Sequence, residues 1–287
     1  MSTEKLAYNW NFDDQGAGPS INPMENAPAA NASMQQVLAD SAGPAPAQPM
    51  PSATLSTLPI GIDINGKLIR EAEIRELTGA DEEAIDRVNR NSIKFFDKLL
   101  QLGVVSLGSD VPTAEQLKQL YVGDRDSLML DIRCATFGSE LEMVGVRCPG
   151  CQDLVDFTVD LSSVERRGLP DGPHTVELRD GRIATVSFPT GEDQEYILDE
   201  TDATTGQTNT RLLERCLTHI DLPAAGIRIP GSADTALKLG IADRRKILMY
   251  LADHAPGPQT MDLTVEHDGC GAEVPLPLTV ADVFLDL

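Results

Sequence analysis

Shifting the chain by 119 residues aligns 123–164 with 242–283 without a gap, the mark of a chain that builds one unit twice. Eight of the 42 paired positions are identical, and they fall where backbone geometry or ligand chemistry narrows the choice of residue. Asp124-Arg125 falls on Asp243-Arg244, Gly138 on Gly257, Val146 on Val265, Gly150-Cys151 on Gly269-Cys270 and Val155 on Val274. Upstream, Thr78-Gly-Ala-Asp81 matches Thr190-Gly-Glu-Asp193 at a shift of 112. The second copy therefore holds seven extra residues, and the polar segment 201–207 is the natural place for them.

Local signals give each unit its elements. Thr78-x-x-Asp81 is a helix-start pattern, and Ile85, Val88, Phe95, Phe96, Leu99 and Leu102 follow at helical spacing, so one helix is expected from there to Gly103. A short helix should follow Pro112 and run to Leu120. A third begins near Asp124 as its N-cap and breaks at Gly138. A hairpin is expected next: a strand from Leu141 to Val146, a turn at Cys148-Pro-Gly-Cys151, and a second strand. In that second strand Val155, Phe157, Val159 and Leu161 alternate with polar residues, which predicts one wet face. Pro275 and Pro277 mark the matching strand of the second copy as an edge strand. The fold class expected is α+β: two helical-plus-hairpin units, 59–168 and 169–287, related by a pseudo-dyad.

Before them, residues 1–58 hold 11 Ala and 7 Pro with six charged residues. Runs such as Ala42-Gly-Pro-Ala-Pro-Ala-Gln-Pro-Met-Pro51 neither propagate a helix nor pair as a central strand, so a disordered arm is expected. At its tip Leu6, Tyr8, Trp10 and Phe12 alternate with small or polar residues, which on an extended segment puts them on one face. They cover a groove on the parent body, have no role, or form a docking peptide, through Tyr8, Trp10 and Phe12, for a partner's sheet edge.

The duplication also supplies a chemical reading. Cys148-x-x-Cys151 offers two thiolates from one turn, whereas tetrahedral zinc takes four ligands. His267-x-x-Cys270 has the same spacing on the matching turn, so two facing knuckles would close a Cys3His site, with Gly150 and Gly269 suited to the sharp turns. Such a closed set means one structural zinc per chain. Two other readings stay open: a redox Cys pair, although such pairs open a helix, and two unconnected turns. His267 is the weakest ligand, with Asp268 or an outside group as its substitute. Cys134 and Cys216 sit among aliphatic residues and read as buried thiols. His174, His219 and His254 read as structural or surface residues, and Arg125 and Arg244 as partners in capping-region salt bridges.

Exclusions narrow the function. With 23 Lys plus Arg against 45 Asp plus Glu, a formal charge of −22, and no basic cluster, the chain is a poor match for nucleic acid or for an anionic membrane. There is no apolar run of membrane-spanning length and no secretory pattern at the start, so an intracellular soluble protein is expected. Five Cys, an odd number, do not make a disulfide framework. Phosphate-loop, nucleophile-elbow, zinc-protease and dinucleotide motifs are absent, so no catalytic residue is assigned.

Leu58-Pro-Ile-Gly61, Glu76-Leu-Thr-Gly-Ala-Asp-Glu-Glu83, Gly123-Asp-Arg-Asp-Ser-Leu128, the Thr-Phe-Gly138 that follows, and Cys148-Pro-Gly-Cys151 occur in an order with a family resemblance. It resembles the T-even-type baseplate hub assembly proteins of contractile-tailed phages and related contractile injection systems. The resemblance implies a non-enzymatic hub component or assembly chaperone working with hub, spike and tape-measure proteins. It implies the host cytoplasm as the place of assembly and the virion tail baseplate as the destination. Cys148 and Cys151 match the family pattern directly, whereas His267 stands where the repeat leads one to expect Cys. A free-standing zinc-ribbon adaptor binding other proteins is the alternative.

Overall fold

In the first half, Asn65-Gly66 is the kind of pair that closes a two-residue hairpin, because both residues take positive φ, 55° and 80°. It joins β1 (Thr54–Ile64) to β2 (Lys67–Ile74), and β3 (Val104–Leu107) pairs with β2 on the other side to complete a three-stranded sheet. The computed structural model describes residues 53–89, 92–198, 202–279 and 282–284, so Tyr8, Trp10 and Phe12 lie outside the described residues. Strand β1 starts at Thr54, inside the span assigned to the arm, because Leu58, Ile60 and Ile62 are core residues.

The single helix expected from Thr78 to Gly103 is two: α1 (Gly79–Ile85), with the Thr78/Asp81 capping box, and α2 (Ile93–Gly103), N-capped by Ser92. Asn and Ser between them compete for backbone hydrogen bonds, as Ser92 Oγ does by donating to Asn89 O, and so favour a break over a continued helix. Then come α3 (Ala114–Gln119), capped by Thr113, and α4 (Val122–Phe137), stopped by Gly138 at φ 87°. The hairpin follows as β4 (Glu140–Arg147) and β5 (Leu154–Asp160). In β5 Phe157 and Val159 are buried while Leu154, Asp156, Thr158 and Asp160 are exposed.

Asp124 does not cap α4; Tyr121 holds that position. Its carboxylate instead accepts the backbone N–H groups of Ile60 and Gly61 at 2.8 and 2.9 Å. Those residues lie where β1 bulges out of register between Thr57 and Ile62, so a buried carboxylate satisfies donors that the ladder leaves free.

After the short strand β6 (Arg166–Arg167), the second half begins with β7 (Thr175–Glu177) and β8 (Ile183–Val186). Helices α5 (Gly191–Leu198) and α6 (Thr205–Cys216) follow, then β9 (Leu217–Leu222) and β10 (Ile227–Pro230). Last come α7 (Ala233–Lys238), α8 (Ile241–Asp253), β11 (Gly257–Pro258), and the hairpin β12 (Thr264–His267) with β13 (Ala272–Pro275). The second sheet has the order β10-β9-β8-β7. The starts of α5 and α6 are spaced as those of α1 and α2, so the seven extra residues are not in 201–207. The change of offset from 112 to 119 falls instead between α6 and α7, where β9 turns into β10.

Two apolar clusters form the core. One joins β1–β3, α2, α4 and β5 with Val274, Leu276, Leu278, Val283 and Phe284, so the second hairpin packs with the first half. The other gathers β7–β9 and α6–α8. Where the halves meet, Val122 N donates to Pro189 O and Gly191 N to Leu120 O. Gly123 touches the backbone of Pro256 so closely that a Cβ there would stand 2.2 Å from its carbonyl oxygen. Beside this contact lies a cavity of about 240 Å³, lined by Phe188, Pro189, Leu251 and Pro256. Asp126 also lines it, and burial pushes its carboxyl up to about 7.

The folded carboxyl thus keeps its proton at pH values where the unfolded one has lost it. Its stability contribution is complete below about pH 4 and is lost as pH rises to about 7. Asp126→Asn is expected to melt higher than the parent at pH 8, by about 1–3 kcal/mol of stability, with the difference vanishing at pH 4. Melting curves across that range check it; a difference that does not change with pH contradicts the assignment.

Candidate metal centre

Both hairpins end in turns of the same form. Cys148 O accepts from Gln152 N at 3.0 Å, and His267 O accepts from Gly271 N at 2.7 Å. The fourth residue after each start is left-handed, Gln152 at φ 67° and Gly271 at φ 69°. The sharp bend is therefore made there and not at Gly150 or Gly269, which contribute space. A Cβ on Gly150 would lie 2.7 Å from Ala272 Cβ, and one on Gly269 would lie 2.8 Å from His267 Nε2.

Because β12 and β13 pack into the first core, the two turns meet, which removes the possibility of unconnected turns. The four donor atoms of Cys148, Cys151, His267 and Cys270 all lie within 4.8 Å of one another. Cys148 Sγ is 3.5 Å from Cys270 Sγ, Cys151 Sγ is 3.5 Å from His267 Nδ1, and Cys270 Sγ is 3.3 Å from the same nitrogen. Zinc–sulfur and zinc–nitrogen bonds of about 2.3 and 2.0 Å place tetrahedral ligands about 3.5–3.8 Å apart, so the cluster needs little contraction to hold the ion. His267 turns Nδ1 inward, with its ring edge-on to Phe157 at 6.4 Å. Phe157 thus positions a candidate ligand, a role its alternation alone did not reveal.

The electrostatics favour the thiolate at Cys148 and the protonated thiol at Cys151. The backbone N–H of Cys151, followed by that of Gly150 and by the His267 and Cys270 side chains, outweighs burial and holds the Cys148 thiol down at about 6. At Cys151 the Asp153 backbone N–H favours the thiolate, but burial and the neighbouring thiols push it up to about 11. Crowded sulfurs ionise together only when a cation compensates them. Cys148 is buried, Cys151 and His267 are partly buried, and Cys270 is exposed, so the cluster sits at a surface edge reachable by an ion.

The Cys-x-x-Cys pair lies between β4 and β5 and opens no helix, unlike a redox pair. The remaining thiols lie apart from the cluster: burial raises Cys134 and pushes Cys216 up to about 12. Arg125 and Arg244 both turn inward. Arg125 pairs with Asp97 at 2.6 Å and donates to Leu117 O, whereas Arg244 finds Ala236 O and Thr210 Oγ1 and, among the described residues, no carboxylate. Among the described residues the expected salt bridge therefore forms at Arg125 and not at Arg244, and it joins helices rather than caps. His174 stacks edge-on against Phe188, His219 faces Asp221, and His254 stacks on Tyr250.

Among the described residues no helix is long and apolar enough to cross a membrane. No curated protein and no solved structure matches the chain. A family model does match, that of the T4 bacteriophage base plate protein, over residues 54–226. The match runs from β1 through β9, spans Cys148 and Cys151, and stops before His267. It covers more than half of the chain and points to a structural role in a phage tail baseplate, so the chain belongs to the T4 bacteriophage base plate protein family.

Proposed function

We propose that this chain is a non-enzymatic assembly protein of a contractile tail baseplate hub, where it organises hub, spike or tape-measure proteins. We propose also that one structural zinc, held by Cys148, Cys151, His267 and Cys270, clamps its two hairpins. The family match carries the first part, and the convergence of four soft donors from hairpins far apart in sequence carries the second. Four protein ligands leave a zinc ion no open position, so the metal fixes the hairpins in place and has no part in a reaction.

The halves 59–168 and 169–287 are, in this reading, two copies of one unit. Both run strand, strand, helix, helix, strand, helix, helix, hairpin, with β6 added in the first and β10 and β11 in the second. Arg125 and Arg244 each donate to the carbonyl eight residues earlier. The knuckle distances are reciprocal, 3.5 Å for Cys148 to Cys270 and 3.5 Å for Cys151 to His267, which supports a pseudo-dyad at the knuckles.

Tyr8, Trp10 and Phe12 are the proposed docking residues for a neighbouring tail protein. Replacing all three by Ala should leave the melting temperature unchanged and lower the number of copies per tail, counted by mass spectrometry of purified particles. Unchanged incorporation refutes the docking role, and absence of the chain from both tails and tail-assembly intermediates refutes the hub assignment.

A further inference from the structure

Helix α8 carries Ile241, Arg245 and Met249 along one line, i, i+4 and i+8, and all three are exposed, Ile241 to 85% and Met249 to 51%. A shift of 119 residues puts them where Val122, Asp126 and Leu130 stand on α4. There the same line is closed. Val122 and Asp126 line the cavity at the junction of the halves, beside Phe188, Pro189 and Pro256, and Leu130 is buried.

The junction is not reciprocal. Gly123 packs on Pro256 and Gly257, but its counterpart Ala242 and their counterparts Phe137 and Gly138 are all exposed. The second half covers α4 with Phe188, Pro189 and Pro256, whose counterparts in the first half are Glu76, Leu77 and Phe137. Glu76 and Phe137 are exposed and Leu77 is partly so. Each chain therefore presents an open α8 face and a separate open covering face.

We infer that a second copy of this chain seats its Glu76, Leu77 and Phe137 surface on α8 of the first, head to tail, with Glu76 of one copy against Arg245 of the other. Charge complementarity supports the seat. Inside one chain the two corresponding positions are Asp126 and Phe188, which line one cavity; between chains they become Arg245 and Glu76, cation against anion. Lys246, also exposed, follows Arg245 in the chain. Ala242 carries the methyl that Gly123 lacks, so the second copy stands farther out, and the longer Arg245 and Met249 fill the added gap. The overall charge of −22 opposes association only weakly at physiological salt, where separated surface charges are screened beyond about 8 Å. A head-to-tail contact of this kind propagates, giving a ring if its rotation closes and a filament if it does not.

The inference uses the repeat register proposed above but not the metal, so zinc content is measured on every variant alongside association. Sedimentation velocity of the full chain is expected to show dimers and larger species that grow with micromolar concentration. Arg245→Glu and Glu76→Arg should each weaken association about tenfold or more, since each sets like charges face to face. Combining them should restore it, with zinc retained throughout. A monomer at every concentration overturns the inference, including one that instead captures another baseplate protein through α8. Association indifferent to both reversals overturns this surface, and association lost in the singles but not restored in the double overturns the pairing and the register behind it. A zinc-free chain that still follows the charge swap supports this contact and counts against the metal reading alone.

Discussion

Cys148→Ser is expected to strip the chain of its zinc and to lower its melting temperature by about 10 °C or more, at about 2–4 °C per kcal/mol for a chain of this size. Cys148 is the buried member of the cluster, and its sulfur contacts Cys270 across the two hairpins. Structural zinc supplies about 10–16 kcal/mol of apparent binding energy to small zinc fingers. The loss here should be a fraction of that, because Phe157, Val274 and Leu276 still hold the hairpins in the apolar core. His267→Ala should behave similarly, whereas His267→Cys replaces one soft ligand by another and should keep the metal. Cys134→Ser is the control, since its sulfur lies outside the cluster, and it should retain full zinc. If Cys148→Ser and Cys134→Ser melt alike with equal metal content, the clamp does not exist.

The second large effect is expected at Arg125, which is fully buried. Its guanidinium ties α4 to α2 through Asp97 at 2.6 Å and to the end of α3 through Leu117 O at 2.9 Å. Arg125→Ala leaves a largely buried carboxylate without its cation and a carbonyl without its donor. Breaking one side of a buried pair costs about 3–5 kcal/mol. Removing both charges, as in Arg125→Met with Asp97→Leu, should recover part of that loss, because an apolar pair of similar volume avoids desolvating ions. Arg244, 119 residues on, meets only neutral oxygens among the described residues, at a partly exposed site. Arg244→Ala should cost about 1–2 kcal/mol, in line with neutral hydrogen bonds. Denaturant midpoints of these variants order the effects, and an Arg125→Ala protein as stable as Arg244→Ala contradicts this picture.

What the residue pattern disclosed, and what it concealed, follows from the range of the interactions. The cap at Thr78, the stop at Gly138 and the β4–β5 hairpin are governed by residues within a few positions of each other, and all are where the pattern places them. The four candidate ligands were legible because two short spacings repeat, and the repeat itself implied that the turns should meet. Asp124 looked like a cap because a cap is the local use of such a residue; its true partners, Ile60 and Gly61, are more than sixty residues away. The break after α1 was masked by apolar residues that stay roughly in helical phase across it. The first hairpin had a signal in Asn65-Gly66 flanked by strand residues. Strand β10 had little, since Ile227–Pro230 is exposed along its whole length and shows no buried alternation.

The packing of the second hairpin into the first core was also beyond the pattern, although it is what brings the four candidate ligands together. Val274, Leu276 and Leu278 alternate as any half-buried strand does, and nothing in alternation names the core that receives it. The consequence is physical. Without a clamp, the two turns would be held only by the apolar contacts behind them, and the Cys148 thiolate would sit among the other donors with no cation beside it.

Metal analysis of the full chain, purified without added metal, tests that claim most directly. The account predicts about one zinc per chain, released only with loss of the folded hairpins. A metal-free chain that melts at the same temperature with and without added zinc would contradict it.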